Sequence, residues 1–308
     1  MNQFSNHPLY RRHNIDSALS SLWDFYKKKF IALFLLSLGL SIAIQYASSM
    51  VNINDLSEIT DPALLFEKMK GYLVPILIVS LISLLATTIL QYYVIFNPID
   101  SESTALSSVI KSLKYYVPYL IIMILLGFAG TIAVVLGIFV LIIGAFFAMI
   151  YVATIYLFIL PVMMAEDVNI GITIMRTIKL AHKNFWTNIG WVSIFIIIML
   201  VVSLVMSSII LIPFTGSFLK SIMDPENSAT MVEVTQKPLF IILSAVVSAL
   251  TLPLMPIFAC ILYFNGRAGE ENEQSVRVPE PTETKLRVED LYAKPYSDDH
   301  PENPENKA

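Results

Sequence analysis

The chain contains 308 residues, of which 56% are hydrophobic and 14% are charged, and its formal net charge is −4. A soluble domain of this length could not bury so many apolar side chains, so the composition excludes an ordinary soluble protein and predicts lipid as the surrounding medium. The slight acidity gives no basis for expecting a nucleic-acid partner.

The first predicted element is an amphipathic helix that precedes the first apolar run. Polar residues fill one face of this helix, and apolar residues recur at helical spacing on the other face. The apolar residues are Ile15, Ala18, Leu19, Leu22 and Tyr26. We therefore predict that residues 1–29 form an N-terminal segment that lies on the membrane surface.

The remaining apolar runs predict a membrane domain of six spans over residues 30–265. The runs cover residues 30–49, 72–96, 115–165, 189–212 and 239–264. The third run has about fifty residues without a charge, which is too long for one crossing of a hydrocarbon core about 30 Å thick but suits two crossings. Gly137 and Gly144 bracket the tight turn that we expect between these two crossings.

Lysine and arginine residues near the spans predict the orientation of the chain, because cytoplasmic connections carry an excess of positive charge. Basic residues precede the first, third and fifth spans and follow the sixth, whereas the opposite side has few of them, mixed with acids. Both termini are therefore predicted to be cytoplasmic, in the inner membrane of a bacterium. Trp23, Trp186 and Trp191 fall near the same side, as expected of residues that anchor at an interface.

The amphipathic pattern returns before the third and fifth spans. Before the third span, the apolar residues are Leu106, Val109, Ile110 and Leu113. Before the fifth, Ile170, Ile174, Ile178 and Ala181 are expected to face inward, with Thr173, Arg176, Thr177, Lys179 and Lys183 facing outward.

These patterns predict three units of one design, each an interfacial helix followed by a pair of crossings. The letters Ala-Leu-Ser-Ser occur at both Ala18 and Ala105, so we align the copies on Ala18, Ala105 and Thr173. The predicted fold is an all-α integral membrane protein with six transmembrane helices and amphipathic interfacial helices before spans 1, 3 and 5.

Two adjacent carboxylates, Glu166 and Asp167, stand at the start of the third amphipathic helix. The first N–H groups of a helix need acceptors, and its positive dipole end favours negative charge. Glu166, Asp167 and Asn169 are therefore predicted to cap this helix, and Asp100, Ser101 and Glu102 repeat the arrangement at the second copy. The alternative is a carboxylate pair that binds a proton or a cation at the membrane edge.

Residues for catalysis or metal binding are not evident in the sequence. Catalysis inside a membrane, or transport through it, normally requires ionisable residues within the spans, and none lies within the predicted spans here. Cys260 is the only cysteine, and the four histidines are too dispersed to give a metal-ligand spacing. We therefore predict no catalytic residue, no cofactor and no metal.

The basic residues near the spans are candidates for contact with anionic lipid headgroups, each worth about 1 kcal/mol near a membrane surface. The alternative is that they only set the topology. The candidates are Lys27, Lys28, Lys29, Lys111, Lys114, Arg176, Lys179 and Lys183.

Residues 266–308 form an acidic segment that is rich in proline and nearly devoid of large aliphatic side chains. Such a composition cannot bury enough apolar surface to fold, so we predict a disordered cytoplasmic tail. The stretch from Val288 to Tyr292 is a candidate motif for binding a protein partner.

A resemblance to a known family is carried by Leu160-Pro161, Glu166, Ile174 to Lys183 and Asn184-Phe185-Trp186, and extends over residues 25–264. In these residues the chain resembles the membrane domain of some glycerophosphodiester phosphodiesterases and the stand-alone six-span relatives of that domain. The resemblance implies the membrane architecture alone. The phosphodiesterase activity of that family resides in a separate soluble barrel, so we do not expect the activity to transfer.

Three functions are compatible with the sequence. The first is a non-enzymatic membrane protein that binds anionic lipid or a partner protein. The second is a small transporter or channel that uses Gln91 and the sixth span, in which Pro253 and Pro256 predict a kink. The third is a lipid-modifying enzyme that works through Glu166, Asp167 and His182.

Overall fold

The computed structural model of the chain describes residues 4–49, 61–100, 104–140, 142–216 and 234–276. No strand occurs in these ranges. The principal helices are α1 (Ile15–Lys28), α2 (Phe30–Ser48), α3 (Pro62–Phe96), α4 (Ala105–Phe139), α5 (Ile142–Glu166), α6 (Ile170–Lys183), α7 (Phe185–Leu211), α8 (Pro238–Thr251) and α9 (Leu254–Val276), with a 3₁₀ turn at Ile212–Phe214.

Six stretches of the described residues are long and apolar enough to cross a bilayer, so the chain is a multi-pass membrane protein and the predicted all-α, six-span fold is confirmed. α8 and α9 together form the sixth stretch. The stretches are Phe30–Ser48, Phe66–Phe96, Ala105–Phe139, Ile142–Glu166, Phe185–Phe214 and Pro238–Asn272.

Separate helices precede the first and fifth spans, but not the third. Lys29 and Asn184 leave the helical conformation, with φ angles of −108° and −126°, and so divide α1 from α2 and α6 from α7. The segment before the third span instead continues directly into α4, which has 35 residues. This helix is unbroken from Ala105 to Phe139, so the predicted boundary at Tyr115 is wrong.

Buried side chains concentrate at one end of the bundle, which we call the packed end. It is formed by residues 88–95 of α3, 157–164 of α5 and 257–264 of α9. α9 lies at its centre, because every side chain from Ile257 to Phe264 is at most 3% exposed. Apolar side chains elsewhere, such as Leu73 and Phe139, are exposed, as expected of surfaces that contact lipid.

The residues before α1 also belong to the packed end, which the sequence analysis missed. Phe4, His7 and Leu9 are buried. The His7 ring lies 4.7 Å from the Phe264 ring between centroids. Its Nε2 atom donates to the Val94 carbonyl at 3.0 Å, and its Nδ1 atom accepts from the backbone N–H of Leu9 at 3.1 Å.

These contacts predict that the protein loses stability in mild acid. Burial lowers the pKa of His7 from 6.5 to about 4, although its bond to Val94 opposes the shift. His7 therefore binds a proton in the unfolded chain before it does in the folded one, and the stability present above pH 6.5 declines as the pH falls toward 4. At 1.36 kcal/mol per pH unit, we expect a loss of about 2 kcal/mol at pH 5.

Thermal unfolding of the purified protein at pH 7.5 and pH 5 measures this loss. The control is His7→Gln, whose amide can still donate to Val94 but does not titrate. An equal loss in the variant and the natural protein would assign the acid sensitivity to other groups, including His13, whose pKa burial also lowers.

The inward faces of α4 and α6 differ from the prediction. Thr173 and Thr177, expected to face outward, are buried, whereas Ile178, expected to face inward, is exposed. In α4, Ser108 and Ser112 are likewise buried, and Leu106, Ile110 and Leu113 of the apolar stripe are exposed. The physical reason is that lipid does not penalise exposed apolar side chains, so small residues occupy the helix contacts.

In α1 the prediction is correct for Ala18, Leu22 and Tyr26, which are buried.

The sixth span breaks between α8 and α9, where Pro253 and Pro256 were expected to kink it. Gln91 is buried and donates from Nε2 to the carbonyl of Pro256 at 3.3 Å. Proline residues remove helical hydrogen bonds, and a neighbouring polar side chain commonly contacts the freed backbone. This contact gives Gln91 a packing role at the break.

α9 continues to Val276 and so passes residue 266, where the predicted disordered tail begins. The first part of that predicted tail is therefore helical. The rest of it, including the stretch from Val288 to Tyr292, lies outside the described residues.

Candidate functional site

Charged side chains gather around the turn between α5 and α6. α5 ends at Glu166, and Asp167 adopts a positive φ of 46°, a left-handed conformation that ends the helix. Asn169 caps α6, since its Oδ1 atom accepts from the backbone N–H of Ile172 at 3.0 Å. The capping prediction is thus confirmed for Asn169 alone.

Glu166 forms the centre of a largely buried ion cluster rather than a cap. Arg176 Nε donates to both carboxylate oxygens of Glu166, at 3.0 and 3.1 Å. The hydroxyl of Tyr263 donates to Oε1 at 3.2 Å, and Arg267 Nη1 lies 3.6 Å from the same oxygen. The side chains of Arg176 and Glu166 are only 16% and 17% exposed. The cluster therefore links α5, α6 and α9.

Asp167 contacts a different set of partners. Lys114 Nζ donates to its two oxygens at 2.7 and 3.0 Å, and the Tyr115 hydroxyl donates at 3.1 Å. The hydrogen bond from Lys114 lowers the pKa of Asp167. The Asp167–Lys114 pair is mostly exposed, with side chains 62% and 64% accessible. Glu166 and Asp167 thus share no partner among the described residues, and their side chains do not form a paired acid site.

His182 lies in a third environment. Its Nδ1 atom contacts the Ile178 carbonyl at 2.8 Å, which assigns the proton to Nδ1, and Nε2 accepts from the Tyr151 hydroxyl at 3.3 Å. Within the described ranges, no contact joins His182 to Glu166 or Asp167. The three residues of the enzymatic hypothesis therefore contact different partners and do not form one site.

Metal-binding geometry is also absent from the part of the chain that the structure describes. No three histidine, cysteine, aspartate or glutamate side chains are grouped there in a way that could hold an ion.

The starts of α1, α4 and α6 share a local geometry. Asn14, Thr104 and Asn169 cap these helices with their side chains. In each case the seventh residue after the cap contacts a residue that lies three or four positions before the cap. The contacts are Arg11 to Ser21 at 2.7 Å, Lys111 to Asp100 at 3.5 Å and Arg176 to Glu166 at 3.0 Å.

This common geometry supports the threefold repeat but changes its alignment. Counting from the caps pairs Ala18 with Ser108 and Thr173, and all three are fully buried. The alignment of Ala18 with Ala105 is therefore out of register by three residues. Ser101 and Glu102 lie outside the described residues, and the cap at the second copy is Thr104.

Most of the predicted lipid-contacting cations already have protein partners. Among the described residues, only Lys28 and Lys179 of this set are exposed without a polar or charged partner. Lys183 is half-buried and has an interaction of its own. The paired cations are Lys27 with Asp24, Lys29 with Asn97, Lys111 with Asp100, Lys114 with Asp167, and Arg176 with Glu166.

The outer surface of α6 combines apolar and basic side chains. Ile172, Met175 and Ile178 are exposed, and Lys179 lies beside them in the sequence. Trp186, just beyond α6, is 74% exposed. Trp191, in contrast, is buried, so its predicted role as an interface anchor is wrong because it packs in the packed end.

Comparison of the chain with family models, curated proteins and solved structures finds no match.

Proposed function

We propose that this chain is a non-enzymatic membrane protein that binds anionic membrane lipids along α1 and α6. The bilayer is the cytoplasmic membrane of a bacterium, and both termini face the cytoplasm. The observation that supports this proposal is the exposed surface of α6, where three large apolar side chains accompany an exposed lysine.

An exposed surface of this kind suits the boundary between headgroups and acyl chains. Apolar side chains enter the acyl region while lysine side chains extend to the anionic headgroups. Trp23, within α1, and Trp186, just beyond α6, are both exposed, and tryptophan prefers this boundary. The lipid-binding function therefore depends on Lys28 and Lys179, rather than on all eight predicted cations.

The contacts of the polar residues favour this function over the alternatives. Glu166, Asp167 and His182 each have separate protein partners, which does not suit a shared catalytic role. Gln91 contacts the broken sixth span, which favours packing over transport. The likeness to the membrane domain of glycerophosphodiester phosphodiesterases remains a prediction about architecture.

Neutralising the two exposed lysines is expected to weaken the binding of anionic lipid. At about 1 kcal/mol for each basic residue, the double variant Lys28→Gln/Lys179→Gln should lose roughly tenfold to thirtyfold in affinity for phosphatidylglycerol. Native mass spectrometry of the full chain in a neutral detergent, titrated with phosphatidylglycerol or phosphatidylcholine, measures the bound lipid.

The matched control removes the same number of positive charges elsewhere. Lys70 and Lys237 are exposed and lie on the side predicted to face away from the cytoplasm. We expect Lys70→Gln/Lys237→Gln to leave binding unchanged. Equal losses in the two double variants, or equal affinity of the natural protein for both lipids, would refute the proposed function.

A further inference from the structure

A cavity of about 240 Å³ lies between α4, α5 and α6. Its walls are almost entirely aliphatic, with Leu126 and Ala133 from α4, Val152 and Ile159 from α5, and Ile178 from α6. Along α4 the lining extends from residue 122 to residue 133, which corresponds to roughly 16 Å at a rise of 1.5 Å per residue. The cavity is therefore elongated and suited to a hydrocarbon chain.

The lining carries two hydroxyl groups, that of Tyr151, which donates to His182 Nε2, and that of Thr177. The Thr177 side chain is 1% exposed, and its hydroxyl has no hydrogen-bond partner among the residues the structure describes. Threonine hydroxyls in helices commonly bond to the carbonyl four residues earlier. Thr173 in the same helix does so, donating to Asn169 at 2.9 Å. An unpaired buried hydroxyl is costly. The oxygen is itself buried, so it meets an acceptor in the cavity only when the Thr177 side chain rotates about its Cα–Cβ bond, and an occupant with a hydrogen-bond acceptor would favour that rotation.

We propose that the cavity holds one acyl chain of an anionic glycerolipid, with an ester carbonyl that accepts a hydrogen bond from Thr177. The chain lies along α4 and α5 in the aliphatic part of the cavity. The headgroup lies near Lys179, which follows the cavity residue Ile178 and is exposed. This inference rests on the proposed lipid-binding function and adds the site of the acyl chain and the residue that contacts the ester.

Photolabelling of the full chain in lipid vesicles tests the position of the acyl chain. The vesicles consist of phosphatidylcholine with a small fraction of phosphatidylglycerol that carries a diazirine on one acyl chain. After irradiation, peptide mapping should locate the label on the cavity walls of α4 and α5 in excess over exposed lipid-facing positions such as Leu73. Label spread evenly over all exposed apolar surfaces would overturn the proposal.

Filling the cavity should remove this label. Ala133→Phe places an aromatic ring in the cavity, and we expect at least a fivefold decrease in labelling of its walls. Ala43→Phe is the matched control, because Ala43 is an exposed alanine of α2 outside the cavity, and it should leave the labelling unchanged. Unchanged labelling in Ala133→Phe would overturn the proposal.

Thr177→Val tests the hydrogen bond to the ester, since valine keeps the shape of threonine without its hydroxyl. We expect twofold to fivefold less labelling in this variant and restoration of the label in Thr177→Ser. In lipid-free detergent, Thr177→Val should be at least as heat-stable as the natural protein, because it removes an unpaired buried hydroxyl. Normal labelling in Thr177→Val would overturn the role of Thr177.

A second diazirine lipid separates this inference from the proposed function. If phosphatidylcholine labels the cavity as well as phosphatidylglycerol does, and Ala133→Phe blocks both, the acyl site stands and the preference for anionic headgroups fails. If Lys28→Gln/Lys179→Gln weakens the binding of anionic lipid but Ala133→Phe changes no labelling, the proposed function stands and the acyl site fails.

Discussion

Replacing Glu166 by alanine is expected to lower the free energy of unfolding by about 3 kcal/mol. The change leaves Arg176 largely buried without the carboxylate that neutralises it, and it also removes an acceptor from Tyr263 and Arg267. Breaking a buried ion pair from one side costs about 3–5 kcal/mol, and the partial exposure of the cluster favours the lower value. Denaturant unfolding of the purified protein measures the loss.

Asp167→Asn is the matched control, because it removes the neighbouring charge from a pair that is mostly exposed and keeps a side chain that tolerates the positive φ of this residue. Exposed ion pairs contribute about 0–1 kcal/mol, so we expect a loss within that range. The double variant Glu166→Ala/Arg176→Ala should recover part of the stability, since it no longer leaves Arg176 uncompensated. Similar losses in Glu166→Ala and Asp167→Asn would show that the cluster is not the main link between α5, α6 and α9.

Adding a methyl group at Gly137 or Gly144 is expected to separate α4 from α5. A Cβ atom at Gly137 would lie 2.7 Å from the carbonyl oxygen of Gly144, and one at Gly144 would lie 2.5 Å from the carbonyl oxygen of Gly137. Both contacts are with backbone, which cannot rotate away as a side chain can. We expect each alanine variant to lose about 2–3 kcal/mol, the upper part of the range for overpacking.

Gly127→Ala is the control in the same helix, because nothing lies within 4 Å of its added Cβ atom. This variant should gain about 0.5–1 kcal/mol, since alanine loses less backbone entropy than glycine when a helix forms. Thermal unfolding in detergent measures both effects. A neutral result for Gly137→Ala and Gly144→Ala would mean that the α4–α5 turn relaxes without separating the helices.

The spans and the helix cap at Asn169 could be predicted from the sequence because both depend on local properties. A charge-free run of sufficient length has few alternatives to crossing the membrane as a helix. The close turn between Gly137 and Gly144 was predicted for the same reason, as two crossings had to fit within one run.

The contacts between helices could not be predicted in the same way. An amphipathic pattern shows that two faces differ, but it does not show which one packs against protein when the solvent is lipid. This is why Thr173, Thr177 and Ile178 were assigned to the wrong faces. The repeat was aligned on similar letters, whereas the caps at Asn14 and Thr104 define its register.

The candidate site was only partly predicted. Glu166 was singled out, but its partners Tyr263 and Arg267 are distant in the sequence and gave no signal there. The burial of the residues before α1 was also missed, because a short segment without regular structure has no periodicity. The only sign of this burial in the sequence is that the apolar residues Phe4 and Leu9 lie on either side of His7.

The central position of α9 in the packed end also has a consequence for biogenesis. Phe264 contacts Phe4 and His7, so the N-terminal segment and the last span meet in one cluster. During synthesis, the earlier helices enter the bilayer before the ribosome has made this residue. Until translation has passed Phe264, the inner surfaces of these helices therefore contact lipid or insertion factors. A chain truncated before α9 would insert without completing its core.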